Sequence, residues 1–161
     1  MNHFSTFKKF LIALVVVFVS ACGSQLKKSD SEMHTDDQQA NDGFSQQIKP
    51  ENTTSPAVLA LIKKARTNAM KGDIDKAMLR LERAARIEPK NAAVWHYIAK
   101  LFLQQENYKQ AAGYAAKSIS LAASNKPLII DNWRIIAHSR YRLGDKKGAQ
   151  RAQDTVNKLQ Q

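Results

Sequence analysis

The sequence is poor in cysteine, proline and catalytic motifs, and each shortage excludes a class of structure or function. With a single cysteine among 161 residues, no disulfide can form within the chain, so the fold must be held by packing alone. After Pro56 only Pro89 and Pro127 interrupt the chain, each where a helix should begin or end. There is no glycine-rich phosphate loop, no nucleophile with a neighbouring base and no pair of carboxylates. We therefore expect no catalysis and no cofactor.

The single cysteine, Cys22, follows a segment with the layout of a secretory signal peptide. Lys8 and Lys9 supply positive charge. Residues 10–19 (FLIALVVVFV) then form an apolar run too short to cross a bilayer as a mature helix, which needs about 20 residues. Residues 19–22 (VSAC) resemble the lipobox of bacterial lipoproteins. The resemblance implies that residues 1–21 are removed and that Cys22 carries acyl chains such as palmitate. An ordinary cleaved signal peptide with an incidental cysteine is the alternative.

The residue after the cysteine bears on the choice of membrane. In the lipoprotein family an Asp at that place commonly retains the protein in the inner membrane, whereas residue 23 here is Gly. The resemblance therefore implies a location at the outer membrane, facing the periplasm. Because two or three acyl chains give a stable attachment, the protein would be tethered to the membrane rather than span it.

Charge and composition divide the mature chain into two parts. Residues 22–54 are polar, without periodicity, and are predicted to form a disordered tether with an r.m.s. span of roughly 30 Å. The following residues, 55–161, are predicted to form one domain, and from residue 57 onward the chain holds twenty Lys or Arg against eight Asp or Glu. The export signal argues against nucleic acid as the partner of this basic domain. An anionic partner in the cell envelope, or simply the solvated outer faces of helices, explains the charge.

The domain is predicted to be helical throughout, because apolar residues recur at spacings of three and four. Ser55 followed by Pro56 has the form of a helix start, and Asn91, Asn107 and Asp145 are further candidates for N-caps. Six helices are expected, near residues 56–70, 74–87, 91–105, 108–123, 127–142 and 145–159.

The domain also repeats itself. Ala111 stands thirty-four residues after Ala77, and Trp133 stands thirty-eight residues after Trp95, with a four-residue expansion between residues 124 and 131. The pattern resembles the tetratricopeptide repeat, a helix–turn–helix unit of about 34 residues with small residues at fixed places. The resemblance implies an all-α fold, a short α-solenoid of about three repeats with a concave face. A generic helical bundle is the alternative.

In the tetratricopeptide family the first helix of each unit lines the concave face, where extended peptide segments bind. Transferring the family's positions to this chain gives a candidate partner-binding groove that contains Arg66, His96, Lys100, Gln104, Arg134, His138, Tyr141 and Arg142. The alternative is that these side chains are merely exposed to solvent. His96 and His138 lack a third ligand, so we expect no metal site.

The whole layout, a lipobox, a polar tether and then three repeats, is similar to that of the LpoP-type outer-membrane lipoproteins that activate class A penicillin-binding proteins. The resemblance implies a non-catalytic activator that stimulates a peptidoglycan synthase by contact. A scaffold or pilot lipoprotein for a secretion, pilus or outer-membrane assembly machine is the rival hypothesis, because it would use the same groove. A wall-hydrolysing enzyme would need a catalytic carboxylate in a cleft, which the sequence does not indicate.

Overall fold

A computed structural model describes residues 54–161, and the described part of the chain is built from helices without a β-strand. The predicted signal peptide, the lipidation of Cys22 and almost all of the tether therefore lie outside the described residues. The six helices are α1 (Pro56–Met70), α2 (Ile74–Ile87), α3 (Ala92–Gln104), α4 (Tyr108–Leu121), α5 (Lys126–Arg142) and α6 (Lys146–Gln160). All six were predicted, with bounds that agree within two residues.

The helix starts follow from side-chain caps. The hydroxyl of Ser55 accepts from the backbone N–H of Val58, and Pro56 occupies the first turn. The side chains of Asn91, Asn107 and Asp145 likewise accept backbone N–H groups at the starts of α3, α4 and α6. Each cap satisfies donors that a helix leaves unpaired in its first turn, which fixes where the helix begins.

The turns inside the three units are closed by the same hydrogen bonds. The backbone N–H of Asp73, Asn107 and Asp145 each donates to the carbonyl five residues earlier, at 2.8 to 2.9 Å. The residue before each of them has a positive φ: Gly72 at 81°, Glu106 at 57° and Gly144 at 84°. The spacings between these residues are 34 and 38, so the backbone repeats with the period that the side-chain pattern predicted.

The core depends on the small residues of the repeat. The four alanines predicted to allow close helix approach, Ala77, Ala99, Ala111 and Ala137, are all buried. Leu81 is also fully buried, whereas the aromatic residues predicted to fill the remaining space, Trp95, Phe102 and Trp133, are only half-buried. Trp95 lies at the margin of the core, where its ring stacks on Tyr114 and its Nε1–H donates to the carbonyl of Pro89 at 2.8 Å.

The four-residue expansion lengthens α5, while the turn between α4 and α5 stays short. α5 has 17 residues against 13 in α3, and the extra turn is at its N-terminal end. Leu128, in that added turn, packs against Ala92 and Ala122 in a small cluster of its own. The insertion therefore adds contact between the second and third units.

Each helix packs against the next in sequence, and the first helices of successive units also contact each other directly, α1 with α3 and α3 with α5. This arrangement is the expected short α-solenoid, in which α1, α3 and α5 form the inner layer and α2, α4 and α6 the outer one. Among the described helices, none combines the length and apolar character that crossing a membrane requires.

Candidate protein-interaction groove

The groove residues predicted from the sequence separate into two clusters along the inner layer. His96, Lys100 and Arg134 gather around the carboxylate of Asp131, which we call the Asp131 cluster. His138 and Arg142 gather around the ring of Tyr108, together with Glu106, and form the Tyr108 cluster. His96 and Lys100 of the Asp131 cluster are buried and only its Arg134 is exposed, whereas both Arg142 and Glu106 of the Tyr108 cluster reach solvent. This difference decides what each cluster can do.

Asp131 is the electrostatic centre of the first cluster. Its Oδ2 atom lies 3.2 Å from the ammonium nitrogen of Lys100 and 3.4 Å from Nε2 of His96. Its Oδ1 atom lies 3.9 Å from the guanidinium of Arg134, one turn along α5. The ion pair between Lys100 and Asp131 joins α3 to α5, and Lys100 is only 6% exposed.

A chain of buried hydrogen bonds continues from this cluster through the protein. The amide of Asn132 donates to the hydroxyl of Ser118 at 2.8 Å and to the carbonyl of Leu128 at 2.9 Å. The hydroxyl of Ser118 in turn donates to the carbonyl of Ala92 at 2.8 Å. Three helices, α3, α4 and α5, are thus joined by polar contacts that are shielded from water, where an unmet partner is costly.

His96 completes this network in a neutral form. Both amide hydrogens of Asn132 are used, so its Oδ1 atom must accept, and Nδ1 of His96 donates to it at 3.0 Å. Complete burial, together with the charge of Lys100, lowers the pKa of His96 to about 4, although the carboxylate of Asp131 opposes the shift. At neutral pH His96 therefore carries no charge, and its Nε2 atom has no hydrogen-bond partner within the described residues.

Lys100 is also affected by its surroundings. Burial lowers the pKa of its ammonium group, Asp131 raises it, and the positive charge of Arg66 lowers it further. Arg66 therefore contributes to the potential of this region from α1, where it is half-buried, with its guanidinium carbon 5.7 Å from the centre of the Tyr97 ring. Lys100 and Arg134 contact the single carboxylate of Asp131, and Arg66 adds a third positive charge close enough to affect Lys100, so the inner layer keeps a surplus of positive charge.

The burial of His96 and Lys100 differs from the expectation that they line an open groove. Both lie on α3, the central helix of the inner layer, which α1 covers on one side and α5 on the other. Because α1 and α5 both pack against α3, His96 and Lys100 are covered from both sides. His96 is 0% exposed, so a partner cannot reach it without unfolding the site, and its structural role is to hold α3 against α5.

The Tyr108 cluster is more accessible. The guanidinium carbon of Arg142 lies 4.7 Å from the centre of the Tyr108 ring, and its Nη2 atom lies 3.7 Å from Oε2 of Glu106. The ring of His138 tilts against the same tyrosine at 5.9 Å. Arg142 and Glu106 both reach solvent, and an ion pair of this kind contributes little to stability. The pair holds the guanidinium of Arg142 at the surface of the domain.

The remaining predicted residues lie between or beside the clusters. Tyr141 is exposed at the end of α5, next to Leu143, another exposed apolar residue. Gln104 is half-buried at the end of α3, and its side-chain oxygen finds no hydrogen-bond partner among residues 54–161. The exposed part of the predicted groove is therefore the C-terminal half of α5, with Arg134, Tyr141 and Arg142. Whether a partner binds there stays a prediction.

Two further features complete the described surface. A shallow cleft of about 600 Å³ follows α4 and is lined by Asn107, Lys109, Gln110, Gly113, Tyr114 and Lys117. None of the predicted groove residues lines it. Within residues 54–161 no three His, Cys, Asp or Glu side chains lie close enough together to hold a metal ion.

The family positions also place Asp131 on the concave face, but the sequence interpretation did not include it among the candidate binding residues and assigned no role to Asn132 or Ser118, although these three residues organise the site. One signal was available for Asp131, because it is the only acidic residue on α1, α3 or α5 and stands one turn before Arg134. No signal in the sequence identified Ser118 or Asn132, since their contacts reach Ala92 and His96 from more than twenty residues away.

Comparison with known proteins agrees with this geometry. A family model described as a tetratricopeptide repeat matches residues 69–122. Among solved structures, the globular C-terminal domain of LpoP from P. aeruginosa is similar to this chain, with a TM-score of 0.61 and 32% sequence identity, over 64% of this chain and 97% of that one. A search among curated proteins finds no match. The described domain is thus a tetratricopeptide-repeat interaction module that corresponds to nearly the whole of the LpoP domain.

Proposed function

Because this chain belongs to the tetratricopeptide-repeat family that includes the globular C-terminal domain of LpoP, we propose that it activates a class A penicillin-binding protein by direct contact. In this proposal the chain is anchored through Cys22 to the outer membrane, and the repeat domain reaches the synthase across the periplasm. The domain performs no catalysis of its own. It acts as a binding module that shifts the synthase toward its active state.

The observation that carries the proposal is the extent of the match. The 32% identity covers 97% of the LpoP domain, so the two domains share sequence as well as a fold that many unrelated proteins use. The predicted leader, lipobox and tether ahead of the domain give the same layout as the LpoP-type activators.

The contact surface that fits the geometry best is the exposed C-terminal half of α5. Arg134 is 46% exposed and belongs to the region in which cations outnumber carboxylates. Tyr141 supplies an aromatic surface beside Arg142. Tyrosine and arginine are the side chains most often found at the centres of protein interfaces. We therefore expect an acidic segment of the synthase to bind here, while the buried Asp131 cluster holds α3 and α5 in position.

A glycan-polymerisation assay tests the proposal. Residues 23–161, without leader or lipid, are added to a purified class A penicillin-binding protein in detergent, and the rate of lipid II polymerisation is measured. The binding variant is Arg134→Glu with Arg142→Glu. The matched control is Lys147→Glu with Arg151→Glu, which makes the same change of charge on the exposed side of α6.

We expect the unaltered domain and the control to stimulate the synthase, and the binding variant to need at least tenfold higher concentration. Absence of stimulation by the unaltered domain would contradict the activator role. Equal loss in both variants would contradict the assignment of the surface. In cells, shortening residues 23–54 to a few residues should abolish function, because the domain would no longer reach the synthase. A protein that tolerates this change would instead resemble a scaffold working at the outer membrane.

A further inference from the structure

The outer side of α2 carries a cationic and apolar face that the proposed function does not use. Leu79, Arg83, Arg86 and Ile87 lie at spacings of three and four residues and so share one side of the helix. We call these four residues the α2 outer face. Leu79 is 64% exposed and Ile87 is 48% exposed, so two large apolar side chains of this face reach solvent.

This combination sets α2 apart from the other two helices of the outer layer. The exposed side of α4 carries Lys109 and Lys117, and that of α6 carries Lys147 and Arg151. None of the large exposed apolar residues of the described domain lies on α4 or α6. The outer layer is therefore cationic along its length, but only the α2 outer face adds apolar side chains to the cations.

The two arginines of the α2 outer face are exposed and can contact an anionic surface. Neither Arg83 nor Arg86 has an ion-pair partner within the described residues, although both are exposed. Lys76 and Arg80 flank the face and interact with Asp73 and Asn68 respectively. Asp75 and Glu82 are the only carboxylates of α2 itself, against four cations. The face thus combines positive charge with apolar anchors, which is the signature of a helix that lies on an anionic lipid surface.

The first described residues of the chain lie at the C-terminal end of α2. The backbone N–H of Ser55 donates to Oε1 of Glu88 at 2.8 Å, and the amide of Asn91 donates to the hydroxyl of Thr54 at 2.9 Å. The same amide donates to Oε2 of Glu88 at 2.7 Å. Although burial raises the pKa of Glu88, these hydrogen bonds from Ser55 and Asn91 outweigh it and hold the carboxylate ionised. The start of the domain, Thr54 and Ser55, is therefore held by residues that directly follow α2.

We propose that the α2 outer face docks on the anionic phospholipid surface of the membrane to which the chain is anchored. The inference rests on the membrane anchor of the proposed function. The predicted tether would join the domain at Thr54 and Ser55, which contact Glu88 and Asn91 just after the C-terminal end of α2. Its expected span of roughly 30 Å would keep the domain at a high local concentration near the headgroups, which allows a weak contact to form. Docking holds the domain against its own membrane, and release frees it to extend toward a distant partner.

Vesicle binding tests the inference directly. Residues 23–161 are mixed with vesicles of phosphatidylglycerol and phosphatidylethanolamine, or of phosphatidylcholine alone, and the bound fraction is measured by sedimentation. All the core clusters lie within the described residues, so removing the leader leaves the packed domain complete. The charge variant is Arg83→Gln with Arg86→Gln, and its matched control is Lys147→Gln with Arg151→Gln. A third variant, Leu79→Ser with Ile87→Ser, removes the apolar side chains and keeps the charge.

We expect binding to the anionic vesicles only, at least tenfold weaker for the charge variant, since each basic residue near such a surface contributes about fivefold. The control should change binding less than threefold, and the apolar variant should also bind more weakly. Absence of binding, equal binding to phosphatidylcholine, or equal loss in the charge variant and its control would overturn the inference. Loss of synthase stimulation in detergent by the charge variant would show that the face binds protein instead. Because that assay contains no vesicles, failure of the docking and failure of the activator role are distinguishable.

Discussion

The Asp131 cluster and the Tyr108 cluster are built from similar residues, yet His96 and Lys100 of the first are buried, whereas Arg142 and Glu106 of the second reach solvent. The difference lies in which helices cover them. His96 and Lys100 belong to the central helix, which has a neighbour on both sides, whereas Arg142 lies at the end of the last inner helix. In this domain the buried polar residues of the central helix α3 hold the units together, whereas those at the C-terminal end of α5 reach solvent.

The largest difference between the clusters should appear when each loses its carboxylate. Asp131→Ala leaves the ammonium of Lys100 buried without its partner, so we expect the free energy of unfolding to fall by about 3 kcal/mol. Urea denaturation monitored by circular dichroism measures this change. The double variant Asp131→Leu with Lys100→Met replaces the pair by apolar side chains and should recover most of the loss. A loss below about 1 kcal/mol in Asp131→Ala would show that the cluster behaves as a surface ion pair.

The second effect is a pH dependence confined to the Asp131 cluster. The pKa of His96 is lowered to about 4 in the folded protein, whereas an unfolded chain has a histidine pKa of about 6.5. Between these values the unfolded state binds more protons, so stability is present above pH 6.5 and decreases as the pH falls toward 4. We expect a decrease on the order of 3 kcal/mol across this window from this residue.

The measurement is the free energy of unfolding at several pH values for the unaltered domain and for His96→Gln. The variant should lose most of the slope between pH 6.5 and 4.5. His138→Gln, in the Tyr108 cluster, is the matched control and should retain it. An unchanged slope in His96→Gln would mean that folding does not lower the pKa of His96.

The two clusters also show what could be predicted from the sequence. Helix bounds were accurate because they depend on local signals, such as the caps Ser55, Asn91 and Asp145. The inner face was also predictable, because the resemblance to the tetratricopeptide repeat implies that the first helix of each unit lines it. The burial of residues on that face could not be predicted, because it depends on contacts between distant parts of the sequence. Asp131 and Lys100 are thirty-one residues apart, and α5 carries an added turn. Half-buried Trp95 shows the same limit, since its margin position depends on the packing of Tyr114.

A smaller effect is expected at the turn that supplies Glu106 to the Tyr108 cluster. Glu106 has a φ of 57°, which glycine adopts without strain, and its carboxylate pairs with Arg142 in solvent. Glu106→Gly loses the pair and relieves the backbone, so the free energy of unfolding should change by less than about 0.5 kcal/mol. Gly144 occupies the same place in the third unit as Glu106 does in the second. Gly144→Ala should lower the free energy of unfolding by about 1 kcal/mol, because the alanine must adopt the same φ of 84°. Thermal unfolding of both variants measures the two values.

The smallest effect on stability should come from Arg142 itself. Its contacts with Glu106 and Tyr108 are solvent-accessible, so Arg142→Ala should change the free energy of unfolding by less than about 0.5 kcal/mol. The same variant should weaken stimulation of the synthase in the polymerisation assay. A large loss of stability would place Arg142 with the structural residues of the Asp131 cluster and would remove the distinction between the two regions.

Site-specific photocrosslinking in intact cells tests the central claim, contact between the exposed end of α5 and a synthase. A photoreactive amino acid replaces Tyr141 in the full-length chain, and in a control chain it replaces Arg151 on α6. Crosslinked partners are then identified by mass spectrometry. The account predicts a class A penicillin-binding protein captured from position 141 and absent, or strongly reduced, from position 151. Capture of secretion, pilus or outer-membrane assembly components from position 141, without a synthase, would contradict it.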